Sequence, residues 1–303
     1  MNGMEACSLC PRECNVDRTH KKNGYCGETS EVRLARAALH MWEEPCISGK
    51  TGSGAVFFSG CALKCIFCQN SQIADSSVGK KVTIENLASI FLNLQKQGAA
   101  NINLVTASHF VPQVIEALQI AKGRGLAIPI VYNCGGYENV DTIKQLNGLV
   151  DIYLPDMKYY DTNLSGKLSH ASDYFEKASV ALQEMVSQIG APVFDEKTNM
   201  MKRGVIVRHL ILPGHTSDSK SILKYLYEAY NDQIYISIMN QYTPVIHQEV
   251  YTELNRCITK REYDKVINYA LNLGITNAFI QEGETAKESF IPEFNYEGIV
   301  TDK

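Results

Sequence analysis

One loop decides the fold of this chain: Gly60-Cys61-Ala62-Leu63-Lys64-Cys65-Ile66-Phe67-Cys68-Gln69-Asn70. Its three cysteines have the spacing C-x3-C-x2-C and directly follow the apolar run Ala55-Val56-Phe57-Phe58. Three thiolates this close suit a cubane iron-sulfur cluster, yet such a cluster has four irons and normally takes four cysteine ligands. The spacing therefore predicts a cluster with one open iron, which is free to bind a small molecule. Two other interpretations stay open from the spacing alone, a zinc site whose fourth ligand lies elsewhere and part of a set of disulfides.

Composition limits the class of protein. The chain has 303 residues, of which 45% are hydrophobic, so it can form one large α/β barrel or two smaller domains. A net charge of -4 gives no general electrostatic preference for nucleic acid. The N-terminus lacks a basic region followed by an apolar stretch, and no segment approaches the roughly 18 consecutive apolar residues of a membrane helix. We therefore expect a cytoplasmic protein without a membrane partner, and its overall charge does not favour a nucleic acid partner, although a local basic patch could still bind one.

A second group of cysteines lies near the N-terminus. Eight of the ten cysteines precede residue 69, which indicates metal sites rather than a disulfide scaffold. Four of them would complete either a structural zinc site or a fully ligated second cluster, with His20 as a further candidate ligand. These four are Cys7, Cys10, Cys14 and Cys26. Bound metal would stabilise a segment that has little apolar content of its own.

The rest of the chain alternates short apolar strands with helical patterns. The predicted strands run from 55 to 59, 102 to 106, 128 to 133, 151 to 154, 205 to 212, 234 to 239 and 278 to 281. The predicted helices run from 84 to 97, 111 to 122, 165 to 187, 219 to 230 and 260 to 273, with Thr83 and Ser217 as N-caps. This alternation predicts an α/β fold, a full or partial (β/α) barrel of parallel strands. We expect a cysteine-rich metal-binding segment at residues 1–50 and the barrel at residues 51–303.

Several motifs together give the chain a family resemblance. It resembles the radical S-adenosylmethionine (SAM) superfamily, and within it the relatives of the pyruvate formate-lyase activating enzymes that carry a cysteine-rich segment before the barrel. A strand before the cysteine loop and Phe67 just before its last cysteine match that superfamily's pattern. The other motifs are Cys7 to Cys14, Glu43 to Gly49, Tyr132 to Tyr137, Leu154 to Lys158, Arg208 to His215 and Met239 to Pro244.

The resemblance implies a cofactor set and a reaction. Cys61, Cys65 and Cys68 would hold a 4Fe-4S cluster whose open iron is chelated by the amino and carboxylate groups of SAM. One electron, from a donor such as flavodoxin or ferredoxin, would then cleave SAM to methionine and a 5'-deoxyadenosyl radical. Phe67 would shield the cluster and pack near the adenine.

The end of the second barrel strand departs from the superfamily pattern. A Gly-Gly-Glu-Pro motif usually binds the amino group of SAM there, whereas this chain has Val105-Thr106-Ala107-Ser108-His109-Phe110. Oxygen atoms of Thr106 and Ser108 would accept from the ammonium instead. A neutral His109 would accept as well, and its alternative is a loop histidine with other partners.

Later strand ends supply the remaining candidates. Asn133 would hydrogen-bond the SAM carboxylate or ribose, and Lys158 would offer a point charge to the carboxylate. Asp156 and Lys158 stand two apart on one strand face, so a local ion pair is the alternative interpretation. His215 would contact the ribose, as a histidine does in about this region of the activating enzymes.

Three functions remain open on the sequence. The first is an activating-enzyme-like oxidoreductase that abstracts a hydrogen atom from a glycine of a partner protein. The second directs the same radical at a small molecule, a peptide or an RNA base. The third is a non-catalytic or electron-transfer iron-sulfur protein, which the missing Gly-Gly-Glu-Pro motif favours and the cysteine loop with its polar strand ends disfavours.

Overall fold

The computed structural model describes residues 3–281 and 292–299. Its strands are β1 (Arg33–His40), β2 (Ser53–Phe58), β3 (Lys80–Lys81), β4 (Ile102–Val105), β5 (Ile130–Cys134), β6 (Ile152–Pro155), β7 (Val193–Phe194), β8 (Met201–Leu210), β9 (Tyr235–Met239) and β10 (Ala278–Ile280). Its α-helices are α1 (Pro45–Ser48), α2 (Ser71–Ala74), α3 (Ile84–Lys96), α4 (Val111–Gly123), α5 (Val140–Gln145), α6 (Thr162–Ser169), α7 (Tyr174–Ile189), α8 (Thr216–Tyr230) and α9 (Lys260–Leu273).

One sheet organises the molecule. Its strand order is β10-β9-β8-β6-β5-β4-β2-β1-β3, with β7 paired to β8 off this path. Every neighbouring pair from β2 to β10 along that order is parallel, while β1 is antiparallel to both β2 and β3. The order has two ends, so the sheet is an open, partial barrel. The predicted α/β class and parallel strands are confirmed.

The predicted elements differ from the observed ones at a few places. Thr83 caps α3 as expected, because its side chain accepts from the backbone N–H of Asn86. Ser217 is not an N-cap, since α8 already begins at Thr216. The single helix predicted over 165–187 is two helices, because His170 adopts a left-handed conformation with φ of 52° and ends α6.

Strand β1 falls before the expected division at residue 50. It pairs antiparallel with β2, so part of the segment before that division belongs to the main sheet. This strand was not among the predicted ones, although five of its eight residues are apolar. The division into a metal-binding segment and a barrel stays a prediction.

The two faces of the sheet are buried in different ways. Side chains such as Ile102 and Leu104 face the helices in the large outer core. On the inner face, Cys46 and Ile47 of α1 pack against Val131 and Ile206. Helix α1 therefore fills the inside of the curved sheet toward the amino ends of its strands. The space at their carboxyl ends stays available for a site.

Candidate functional site

The cysteine loop leaves β2 through a turn that only glycine accommodates. Gly60 has φ of 86°, and a Cβ there would lie 2.8 Å from the carbonyl oxygen of Cys26 and 2.6 Å from Cγ of Glu28. The backbone N–H of Cys61 donates to the same Cys26 carbonyl at 3.3 Å. The loop is thus held against the N-terminal segment at the carboxyl edge of the sheet.

The three thiols of this loop line one cavity of about 190 Å³. Cys65 Sγ accepts from the hydroxyl of Ser169 at 2.9 Å, and Cys61 Sγ accepts from the backbone N–H of Leu63 at 3.4 Å. Such donors stabilise ligated thiolates and tune the potential of a cluster. Burial raises the pKa of Cys65, and it raises the pKa of Cys68 to about 12. Iron ligation would replace these protons, so the donor set fits a cluster held by three cysteines.

The opposite wall of the cavity is built from strand ends. It includes Thr106 after β4, Asn133 in β5, Asp156 and Lys158 after β6, and Arg208 in β8. Because parallel strands end at one edge, residues distant in sequence face the three thiols together. Four of these five positions were predicted site residues, and the structure brings them to the same cavity.

Three hydrogen bonds from Arg208 link side chains of this wall to one another and to Glu43. Arg208 Nε donates to Asp156 Oδ1 at 3.1 Å, its Nη1 to Glu43 Oε2 at 3.2 Å and its Nη2 to Asn133 Oδ1 at 2.6 Å. Lys158 Nζ donates to the other Asp156 oxygen at 2.6 Å. Burial alone would raise the pKa of Asp156, but Lys158 and Arg208 outweigh it and hold that pKa below its usual value. The predicted ion pair is therefore present, and it lies inside the cavity wall.

Thr106 has an unusual backbone conformation. Its φ of 60° lies in the left-handed region, which is a genuine outlier for a β-branched residue. Its N–H donates to the carbonyl oxygen of Asn133 at 2.8 Å, which fixes this turn against β5. Strain of this kind is found mostly where a ligand requires it.

Phe67 and Tyr242 form an aromatic part of the same cavity. Their ring centroids are 6.1 Å apart. The Tyr242 hydroxyl donates to the carbonyl oxygen of Leu254 at 2.7 Å, so this ring is anchored on the far side. A flat ligand in the cavity would contact both rings beside the last cysteine of the loop.

A second, larger cavity adjoins the first. Its volume is about 420 Å³, and the two share Gln69, Asn133 and Arg208 among their walls. It is lined by His40 of β1 and by Phe279 of β10, which lie toward opposite ends of the open sheet. The gap in the barrel therefore gives access to a chamber next to the cysteine cavity.

Comparison with known proteins agrees with this geometry. The model of a family described as a 4Fe-4S single cluster domain matches residues 47–173, which include the cysteine loop and the ends of β4 to β6. A pyruvate formate-lyase-activating enzyme of Clostridium pasteurianum is 28% identical over 180 residues, covering 53% of this chain and 74% of that protein. The chain is therefore similar to 4Fe-4S cluster proteins and to an activating enzyme, in agreement with the resemblance predicted from its sequence.

A further relative and a solved structure extend the comparison. An uncharacterised protein of Methanocaldococcus jannaschii is 26% identical over 276 residues, covering 89% of this chain and 75% of that protein. The Streptococcus suis protein SuiB, in a structure bound to its precursor peptide SuiA, has a TM-score of 0.51 at 11% identity. That match covers 74% of this chain and 47% of SuiB, so the chain spans about half of its length, and the likeness shows the fold alone. No helix in the described part of the chain has the length and apolar character needed to cross a membrane.

Three predicted cofactor-binding residues do not reach the cavity. Ser108 is buried and donates to Glu138 Oε1 at 2.6 Å. His109 is buried with Nε2 2.6 Å from the carbonyl oxygen of Ser59, so this nitrogen must donate rather than accept from SAM. The chain enters a short 3-10 helix after Thr106, which turns these side chains away from the sheet's inner face.

The third such residue is His215. It precedes α8, and its Nε2 lies 3.4 Å from Glu253 Oε1. It does not line either cavity, whereas Arg208 of the same motif does. Neighbouring residues of a strand face opposite sides of the sheet, so Arg208 faces inward while His209 faces the outer core, where its Nδ1 donates to the carbonyl oxygen of Met157 at 2.8 Å.

The N-terminal cysteines lie close to one another around a buried arginine. Arg18 is 0% exposed, and its Nη1 lies 3.6 Å from Cys7 Sγ. A Cβ on Gly24 would lie 3.5 Å from the sulfur atoms of both Cys14 and Cys26. No group of three or more metal-ligating side chains is close enough to hold a single ion within residues 3–281 and 292–299. Metal binding by the four N-terminal cysteines stays a prediction.

His20 does not join these cysteines. Its ring nitrogen pairs with Asp17 at 2.6 Å, and its side chain is 80% exposed. Arg12 instead connects the cysteine set to the cysteine loop and to α6, because it donates to the carbonyl oxygens of Ala62 at 2.8 Å and Ser169 at 3.0 Å. Neither Arg12 nor Arg18 was singled out as a site residue, because an arginine among cysteines gives no spacing signal.

Glu43 and Glu44 are the functional candidates that the sequence did not identify by role. Both line the larger cavity on the turn before α1. The only available signal was a pair of acids directly before Pro45, a residue that favours a helix start. Nothing in the periodic pattern shows that this turn folds into the inside of the sheet.

Proposed function

We propose that this protein reductively cleaves SAM and uses the resulting 5'-deoxyadenosyl radical to abstract a hydrogen atom, in the manner of an activating enzyme. The observation that carries the proposal is the single cavity in which Cys61, Cys65 and Cys68 face the polar ends of four parallel strands. SAM is the ligand found in a SuiB structure of the same fold, with a TM-score of 0.50 over 74% of this chain. A redox cluster and SAM together supply one-electron cleavage of a carbon–sulfur bond when bound.

Residues of the chain would hold the cluster, bind SAM and exclude water. The three loop cysteines would hold the 4Fe-4S cluster, while Lys158 and Asn133 would bind and orient the carboxylate and hydroxyl groups of SAM. Thr106, in its strained turn, would accept from the ammonium group. Phe67 and Tyr242 would pack against the adenine and exclude water from the cluster. The reductant would be a small one-electron carrier such as flavodoxin or ferredoxin.

The first candidate substrate is a glycine of a partner protein. Similarity to a pyruvate formate-lyase-activating enzyme supports this choice. The abstraction breaks one C–H bond and forms 5'-deoxyadenosine, which leaves one unpaired electron on the partner. Electron paramagnetic resonance of the reduced protein with SAM and a candidate partner should then show a glycyl doublet. Formation of 5'-deoxyadenosine in every mixture, with no radical on any protein, would contradict the partner-glycine substrate.

The second candidate substrate is a small molecule or a single peptide side chain. The chamber of about 420 Å³ beside the cysteine cavity supports it, because a recess of this size can hold a small molecule or one side chain. Two fractions of a cell extract can be compared. This candidate is selected if the low-molecular-weight fraction stimulates 5'-deoxyadenosine formation and the protein fraction does not.

The N-terminal cysteines have a separate proposed role. Cys7, Cys10, Cys14 and Cys26 would bind zinc or a second cluster that stabilises the segment against the cysteine loop. Metal analysis after alanine replacement of Cys61, Cys65 and Cys68 would identify the element that remains. Protein free of any bound metal in that variant would contradict the role.

A further inference from the structure

The larger cavity holds more negative than positive side chains. Glu43 and Glu44 line it from one turn, and Arg208 is the arginine in its wall. His40 also lines it, but burial lowers the pKa of that histidine to about 4, so its ring is neutral near pH 7. The charge balance of the chamber therefore depends on which carboxylates Arg208 and its neighbour Lys158 already neutralise.

Both of these cations are committed to other groups. Arg208 donates one nitrogen each to Asp156, Glu43 and Asn133. Lys158 donates to Asp156 at 2.6 Å. In the described part of the chain, no lysine, arginine or histidine forms an ion pair with Glu44.

Glu44 also lacks a complete set of hydrogen bonds. The residue is 8% exposed, and its Oε2 is buried without a hydrogen-bond partner among residues 3–281 and 292–299. A buried carboxylate oxygen without a hydrogen-bond donor is costly, and a bound water, ion or ligand can supply the missing donor. Burial raises the pKa of Glu44, the charge of Arg208 and a hydrogen bond with Ser237 oppose this effect only in part, and a bound cation would oppose it further.

The other walls indicate the kind of cation. Trp42, Phe57 and Phe279 line the same cavity as Glu44. Aromatic faces attract organic cations, whereas a hard metal ion requires a larger set of oxygen ligands. Among the described residues that line this chamber, no group of three or more His, Cys, Asp or Glu side chains is placed to hold a single metal ion.

We propose that this chamber binds the ammonium or guanidinium group of the substrate, with Glu44 as its counter-ion. The proposal rests on the proposed radical function, because the shared wall of the two cavities places the bound group next to the cluster cavity. Two sources carry this chemistry, a free amine and a lysine or arginine side chain of a peptide. The volume of the chamber suits either one.

The test is calorimetric binding to reconstituted protein in the presence of SAM. The probes are agmatine as a free cation, capped Gly-Lys-Gly as a peptide cation and capped Gly-norleucine-Gly as its neutral analogue. Each is titrated into wild type, Glu44→Gln and, as the matched control, Glu196→Gln, whose side chain is exposed and lines neither cavity. We expect at least one cationic probe to bind wild type and the control equally, and to bind Glu44→Gln at least tenfold more weakly.

The pattern across probes decides the outcome. Preference for agmatine assigns a free amine, and preference for the lysine peptide assigns a peptide substrate. Equal binding to wild type and Glu44→Gln, binding of the neutral analogue as tight as that of its lysine counterpart, or no binding of either cation would overturn the proposal. If Glu44→Gln does not fold, Glu44→Asp replaces it, and that shortened acid should weaken cation binding by a smaller factor.

SAM binding and 5'-deoxyadenosine formation are measured on the same wild-type samples. Normal SAM cleavage without cation binding would reject this inference and leave the proposed function standing. Absence of SAM binding and cleavage would reject the proposed function, whatever the calorimetry of the cations shows.

Discussion

The two cysteine groups of this chain have opposite surroundings. Cys61, Cys65 and Cys68 line a cavity whose far wall carries polar side chains from four strands. Cys7, Cys10 and Cys26 are buried within the N-terminal segment and lie around the buried guanidinium of Arg18. The first arrangement leaves room for a ligand beside a metal centre, and the second suits a closed, structural centre. The number of cysteines matters less than the groups that face them.

The largest effect should follow from substituting a cysteine of the open site, which is the cavity lined by Cys61, Cys65 and Cys68. Cys65→Ala deletes the sulfur that accepts from Ser169, and the remaining two cysteines cannot retain a stable cluster. We expect the characteristic cluster absorption and electron paramagnetic resonance signal to fall at least about tenfold, with little change in thermal stability. Exposed Cys257→Ala serves as the control and should keep the full signal. A cluster retained in Cys65→Ala would mean that other residues hold it.

In the N-terminal cysteine group, the closed site, the expected effect of a substitution is a loss of stability. Cys10 is buried, so Cys10→Ala removes a proposed metal ligand and an apolar contact together. We expect the free energy of unfolding to fall by on the order of 2–4 kcal/mol, because metal binding contributes directly to folding. Denaturant unfolding with and without a chelator measures this. An unchanged midpoint, equally insensitive to the chelator in both proteins, would show that the N-terminal set binds no structural metal.

Lys158 tests the polar wall of the open site. Lys158→Met removes a charged donor while keeping most of the side-chain volume, and Arg208 still pairs with Asp156. We expect the dissociation constant for SAM to rise about 10- to 100-fold, the equivalent of one charge-assisted hydrogen bond. Equilibrium dialysis measures it, with exposed Lys260→Met as the control. Equal SAM affinity in Lys158→Met and wild type would remove Lys158 from the binding site.

The smallest effect concerns the link between the two groups. Arg12→Ala removes hydrogen bonds to the carbonyl oxygens of Ala62, Ser169 and His170. Each bond from a charged donor contributes about 1.5–3 kcal/mol at most, and partial exposure reduces this. We expect a loss of roughly 1–2 kcal/mol in stability and faster loss of the cluster in air. Cluster lifetime identical to that of wild type would show that the N-terminal segment does not support the loop.

Much of the open site followed from local sequence signals. Spacing predicted the three cysteines and strand ends predicted Asn133, Asp156 and Lys158, and all six line one cavity, because parallel strands end at one edge. Ser108 and His109 do not line it, for a physical reason. The left-handed turn at Thr106 ends the alternation of the strand, so residues beyond it no longer face the cavity.

The residues whose position could not be predicted from the sequence lie on the inner face of the sheet. Glu43 and Glu44 reach the chamber only because α1 folds inside the sheet, with Ile47 packed on Val131. Such a fold-back depends on tertiary packing and leaves no periodic pattern. Arg208 was one of two adjacent candidates, and only the register of β8 with β9 shows that it, and not His209, faces inward.

The central claim is that the open cysteine site cleaves SAM. The most direct measurement is 5'-deoxyadenosine formation by anaerobically reconstituted, dithionite-reduced protein, beside a variant in which Cys61, Cys65 and Cys68 are all alanine. We predict product from the wild type and none from the variant, while the metal content of the N-terminal set is the same in both. Equal product from both proteins, or a wild-type protein that contains only zinc, would contradict the claim.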